Sequence, residues 1–465
     1  MRSSILSLCA LGASLISASP VGLDCYDESA FAPADIIERD VLIVGGGATG
    51  TYSAVKLKDQ KKTIAVVEQS ERLGGHVNTF REAATGAPID YGAQAYIQNN
   101  QTLEFFGRFG VQLNASVLSP LPSKIVDFKT GYLVPNASAT DPNQLVGPLA
   151  NYLFATLNFP FLAEGAYDIP DEIPEDLLLP FGQFITKYNL TEVVPVVWIF
   201  AHGLGNLLET PTLYALQSFG QPHLLGLSAG YLYAPEGNQV VYDKAAEFLG
   251  EDVLFSSTVV ASERNDTGVK AVVKTPTGRK LIKAKKLLLT IPPTVKNLKP
   301  FGLDENETSI FSQWKDIPYY VGVVTKTGLP DLTNFVNVDV AAPDALPQSP
   351  FVLRLDNVGV PDHQTVKVIG EADSTKAQGL VTDAIARIGP SVNATAPAGT
   401  EFAAWEAHAD LQLHVSNDAL KAGFYKNLYA LQGKRSTYYT GLAWCSDYSP
   451  LLWAFTDSRV LPHLV

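Results

Sequence analysis

The stretch RDVLIVGGGATGTYSAVKLKDQKKTIAVVEQ, residues 39–69, restricts the fold more than any other part of the chain. Residues 41–44 form an unbroken apolar run, as a parallel strand covered on both faces requires. A glycine turn follows, then helix-forming residues 48–58, then a second apolar run at 64–67. Parallel neighbours need a crossover, so the stretch reads as a βαβ unit and commits the chain to an α/β sheet. Gly45, Gly47 and Gly50 satisfy G-x-G-x-x-G: one glycine for the tight turn, one for backbone approach to a pyrophosphate, one for close helix–strand packing. The helix start offers free N–H groups and a positive dipole end to phosphates. Glu68 closes the second strand where a carboxylate accepts hydrogen bonds from an adenosine ribose. The unit is a dinucleotide site.

Which dinucleotide is decided by ERLGGH, residues 71–76. A second glycine pair so soon after the ribose carboxylate suits a chain that follows a long cofactor further, which selects FAD over NAD. Arg72 is expected to help neutralise the pyrophosphate, and Gly74 and Gly75 to let backbone approach the ribityl end. His76 stands where such loops more often carry arginine. A polar contact to the cofactor is the favoured role; a covalent link to the flavin and a surface histidine are the open alternatives.

A formal net charge of −13 argues against a phosphate-backbone partner, so nucleic acid is not expected. At the N-terminus, Arg2, the apolar run ILSLCALGASLISA and the small residues after it read as a secretory signal over 1–20; the run is short for a membrane span. N-x-S/T sequons at Asn100, Asn114, Asn136, Asn189, Asn265, Asn306 and Asn393 fit a secretory, N-glycosylated chain. Of three cysteines, Cys9 lies in the signal, leaving Cys25 and Cys445 either bridged or free. No clustered Cys/His pattern suggests a metal. Later in the chain, an apolar, helix-forming stretch runs from about 140 to 230, and strand patterns follow. Segments 38–95, 230–295 and 420–465 are expected to assemble one cofactor domain. Residues 96–229 form a helical substrate subdomain, and 296–419 a mixed α+β one.

IVGGGATG, EQSERLGGH and IDYGAQAY resemble the N-terminal signatures of the flavin-containing amine oxidase superfamily. KKLLLTIPP resembles its strand leading into the substrate domain, and YYTGLAWCSDYSPLLWAFTDSRVLP its C-terminal flavin strand and helix. GGHVNT, FGQFITKYNL, PTLYALQSFG and PLLWAFTDS look closest to a fungal branch typified by β-cyclopiazonate dehydrogenase, with a bacterial polyunsaturated fatty acid isomerase as a more distant relative. The resemblance covers nearly the whole mature chain and implies a Rossmann-like FAD domain of the amine-oxidase type. It also implies an oxidoreductase of secondary metabolism. It adds Val259 at the adenine, Thr440 and Gly441 near the flavin, and a helix beginning around Asp447 that faces the flavin pyrimidine edge.

Amine oxidases of this superfamily carry a lysine on a substrate-domain strand. In PYYVGVVTKTG the aligned residue is Val324, with Lys326 two residues on as a weak catalytic candidate. Leu451 replaces the C-terminal aromatic-cage tyrosine, so ordinary amine oxidation is not expected. Tyr320 and Tyr448 are further weak catalytic candidates. Tyr96, Tyr319 and Trp444 are candidate cavity walls, and Trp198, Phe200 and Tyr214 line either a tunnel or a helical core. His202 and His223 read as satisfied core or surface histidines, and Cys445 as a buried thiol beside the flavin strand. The expected reaction is hydride abstraction from a C–H or C–N site of an apolar small molecule, with oxygen or another acceptor reoxidising FAD. A flavin isomerase of an unsaturated lipid-like substrate and a non-catalytic FAD-binding protein are the alternatives.

Overall fold

The computed structural model describes residues 26–116, 121–134, 142–394 and 399–465. The expected signal, Cys25 and Asn136 lie outside these residues. Two sheets organise the chain. In the first, strands Val253–Leu254, Ile64–Val67, Ile36–Val44, Gly278–Leu289 and Thr437–Tyr439 run parallel, and Thr258–Asn265 and Gly268–Thr275 extend one edge as an antiparallel meander. The apolar runs that mark this unit in sequence are its centre: Val41, Leu42, Ile43, Ile64 and Val66 are fully buried. The crossover helix Ala48–Asp59 and the C-terminal helix Ser449–Arg459 pack together, with the Tyr52 and Trp453 rings stacked at 5.3 Å. Trp453 Nε1 donates to the Ala48 carbonyl at 3.1 Å.

The second sheet has the order Glu401–Ala407, Tyr319–Thr325, Gln364–Ile369, Phe351–Asn357, Asn334–Val338, Ser123–Asp127. Its last strand comes from the segment read in sequence as a helical subdomain, and it pairs in parallel with Asn334–Val338. Helix Ser374–Ile388 covers one face of the sheet, where Tyr320, Val324, Val366 and Val381 share an apolar cluster. The opposite face, with Tyr319, Val321, Val323 and Leu353, joins the main core. The expected strand EFAAWEAHADLQLHV holds only over Glu401–Ala407; the chain then leaves the sheet.

Helices between Pro142 and Ala229 form the insert, packed around fully buried Tyr152, Phe181, Phe184 and Phe219. The insert is tied to the C-terminal segment by an Ala166–Cys445 bridge and by Ser446 N–H donating to the Gly165 carbonyl at 2.8 Å. The space between the first sheet, the second sheet and the insert is thereby fixed from three sides. No helix of the described residues is long and apolar enough to cross a membrane, and they contain no His/Cys/Asp/Glu cluster suited to a metal.

Candidate active site

At the carboxyl ends of the parallel strands the backbone is compressed in a way only glycine permits. A Cβ on Gly50 would lie 1.9 Å from the Gly45 carbonyl oxygen. Gly75 has φ of +55°, and a Cβ there would meet Gly47 Cα at 2.9 Å. The second glycine loop thus rests directly on the first turn, held by Gly74 N–H donating to the Gly46 carbonyl at 2.8 Å. Helix Ala48–Asp59 starts at Gly47 with no side-chain cap, which leaves its first N–H donors facing outward from the turn. Glu68 is buried beside this turn and accepts from Gly46 N–H at 2.6 Å and from Ser70 N–H at 2.7 Å. Gly441, with φ of +115°, sits against Thr290 at the end of the neighbouring strand, and helix Ser449–Arg459 again begins without a side-chain cap.

Facing this cradle is a wall of aromatic polar rings. His76 stacks on His408 with centroids 4.1 Å apart, His408 stacks on Tyr319 at 5.9 Å, and Tyr319 meets His202 at 5.7 Å. The tautomers follow from the partners. His202 Nδ1 lies 2.7 Å from the Ile199 carbonyl, which only accepts, so Nδ1 carries the proton and Nε2 accepts from Tyr319 O–H at 2.8 Å. Arg72 donates to Asn78 Oδ1, which turns the Asn78 amide N–H toward His408 Nε2 at 3.1 Å. The His408 proton is therefore on Nδ1. Burial holds all three imidazoles neutral, with Arg72 adding for His76 and Lys367 for His202: the pKa falls to about 4 for His76, about 3 for His202, and well below the usual value for His408.

Beside the wall, on the same face of the second sheet, lie Arg354, Asp356 and Lys367. Arg354 Nε donates to Asp356 Oδ1 at 2.6 Å, and Lys367 Nζ reaches Gln94 Oε1 at 3.3 Å. Burial lowers the Lys367 pKa to about 8 and raises that of Asp356. On the far side of Tyr319, Asp447 closes a small recess of mixed character, lined by Tyr167, Tyr214, Leu411 and Leu442 and by the polar Gln217 and Gln412. Asp447 keeps accessible surface although protein surrounds it, because it lines that recess; desolvation lifts its pKa to about 7.

Over residues 49–325 the chain matches the family described as flavin containing amine oxidoreductase. It is 37% identical over 428 residues to the β-cyclopiazonate dehydrogenase of Aspergillus oryzae, spanning 91% of this chain and 92% of that one. The chain belongs to the flavin-containing amine oxidase family. An FAD-dependent oxidoreductase of Monascus ruber is 36% identical over 466 residues, at 97% and 98% of the two chains. Among solved structures, a CLA-producing fatty acid isomerase from P. acnes aligns with a TM-score of 0.72 at 19% identity, covering 92% of this chain and 99% of that one. Putrescine oxidase bound to putrescine aligns at 0.60 and 16% identity, with coverage of 92% and 99%. At these identities the likeness concerns the fold. As a member of this family the chain is an FAD-dependent oxidoreductase, and the compressed glycine cradle, uncapped helix start and buried Glu68 fit that cofactor.

Several site residues sit differently from their sequence reading. Arg72 is engaged within its own loop. It stitches the glycine loop together, donating to the carbonyls of Val77 at 2.9 Å and Gly75 at 3.1 Å and to Gln239 Oε1 at 2.9 Å. Lys326 lies at the exposed end of its strand and pairs with Glu401 at 2.6 Å, so it is no catalytic candidate. Tyr320 and Val324 point to the helix-covered face, and Tyr319 faces the cradle instead, because side chains alternate along a strand. Tyr448 donates to the Ala95 carbonyl at 3.0 Å and packs edge-on against His223 and Tyr231. Tyr96 and Trp444 are core residues, stacked on Trp453 and Tyr439. Trp198 is also buried in the core, against Phe351, and partly buried Phe200 stacks on Phe219, while Tyr214 reaches the recess. His223 serves the start of helix Gln221–Ala229, accepting from Gly220 N–H at 3.4 Å. Cys445 is a buried free thiol. Val259 lies at a register shift in its strand. His202, His408 and Lys367 were not legible as site residues, since strand pairing and ring stacking bring them together from distant parts of the chain.

Proposed function

We propose that this oxidoreductase removes hydride from a C–H or C–N site of an apolar small molecule, in the secondary metabolism of its source, within the secretory pathway. FAD, when bound, supplies the two-electron acceptor. Gly45, Gly47 and Gly50 would hold its pyrophosphate, Glu68 its ribose, Val259 its adenine, and Gly441 with the helix start after Asp447 its flavin end; Gly75 and His76 would flank the chain between. The observation that carries the substrate reading is the wall facing the cradle: the rings of His76, His408, Tyr319 and His202, all held neutral. Such a lining excludes water and favours uncharged reacting carbon. Tyr319, Val321 and Val323, not lysine, occupy the cradle-facing positions of strand Tyr319–Thr325, which supports a substrate other than a simple amine. The test is turnover of apolar small molecules with oxygen uptake recorded alongside product. Stoichiometric uptake, or reduction of an added acceptor, supports oxidation. Rearranged product with neither would replace this reading with isomerisation.

A further inference from the structure

The cluster of Arg354, Asp356 and Lys367 is unbalanced. Residues 354 and 356 lie on the same face of one strand, and Lys367, opposite Val321 on the adjacent strand, shares that face with Tyr319. Two cations meet a single carboxylate. That carboxylate engages only Nε of the guanidinium, and neither Nη of Arg354 has a hydrogen-bond partner among the described residues. Arg354 is nevertheless largely shielded, with 16% of its side chain exposed. Lys367 Nζ has one long contact, to the neutral amide oxygen of Gln94. The nearest titratable rings, His202 and His408, are neutral and add no counter-charge, and Glu406, on the same face, is exposed to solvent.

Two cations sharing one carboxylate leave one positive charge that the protein does not balance, and an anionic ligand would complete the set. Both unsatisfied guanidinium N–H groups of one plane suit two oxygens of a planar oxyanion. Gln94, the partner of Lys367, belongs to the loop that carries Tyr96 and lies beside Ala95, the acceptor of Tyr448. We propose that Arg354 and Lys367 form an anion subsite of the substrate cleft, and that the substrate bears a carboxylate-like oxyanion on its apolar body. The subsite rests on reading this cleft as the place where substrate binds.

The test uses the FAD-loaded enzyme and a matched probe pair, trans-cinnamate and cinnamamide, which share shape and differ in charge. Calorimetric titration at neutral pH should give cinnamate at least about tenfold tighter binding than the amide, a difference of about 1.4 kcal/mol. Lys367→Met and Arg354→Gln should each reduce that preference to about threefold or less, with cinnamamide affinity and flavin content unchanged. Lys367→Arg should retain it. The preference should weaken as pH rises through about 8, where Lys367 loses its proton while Arg354 stays charged and the two histidines stay neutral. Equal affinities, no binding of cinnamate, or a preference that survives both neutralising variants would overturn the subsite. A cinnamate preference in an enzyme whose flavin no substrate reduces would leave the subsite standing and sink only the hydride-transfer reading.

Discussion

Arg264 and Glu307 form the most deeply buried ion pair among the described residues, with side chains 0% and 4% exposed. The guanidinium donates to both carboxylate oxygens, at 2.9 and 2.8 Å, and Tyr439 O–H adds a third bond at 2.8 Å. Glu307 also closes a capping box with Asp304, so one side chain ties helix Glu305–Phe311 to the strand that leads to Gly441. Glu307→Ala would leave Arg264 buried and unpaired, and should destabilise the fold by about 3–5 kcal/mol in chemical denaturation. The pairing depresses the Glu307 pKa, against the desolvation that raises it. Its stabilisation is therefore present above the unfolded value near 4.5 and is lost as pH falls below it, so the gap between wild type and variant should narrow in acid.

At the scale of elements, the two glycine loops define the cofactor cradle. Gly50→Val would place side-chain atoms into the Gly45 carbonyl, so the helix must move off the strand; purified protein should carry little or no FAD by absorbance. These loops were legible in sequence because their glycines answer to backbone contacts that no other residue allows. The facing wall was not. Strand Tyr319–Thr325 is buried on both faces over its first six residues, so apolarity gave no sign of which parity faces the cofactor. Tyr320 and Val324 lie on the helix-covered face and Tyr319 on the other. His408 reaches the wall because its N–H donates to the Tyr319 carbonyl at 2.8 Å as the chain leaves the last strand. Lys367 lies opposite Val321 only through antiparallel pairing. Contacts of that kind follow from register between distant segments.

For the whole molecule, three discontinuous segments contribute strands to the first sheet, while strand Ser123–Asp127 crosses from the insert into the second sheet. The sequon asparagines Asn100, Asn114, Asn189, Asn265, Asn306 and Asn393 are all exposed on this body. If the chain enters the secretory pathway, endoglycosidase treatment of the native protein should increase its gel mobility. An unchanged mobility would count against that route.

Hydride removal within the cleft is tested most directly by the absorbance of the FAD-loaded enzyme mixed anaerobically with apolar small molecules, with and without an acidic group. The account predicts that the oxidised flavin band bleaches with at least one of them, and that it returns when oxygen or another acceptor is admitted. A flavin that dithionite reduces but no member of the panel bleaches would contradict it.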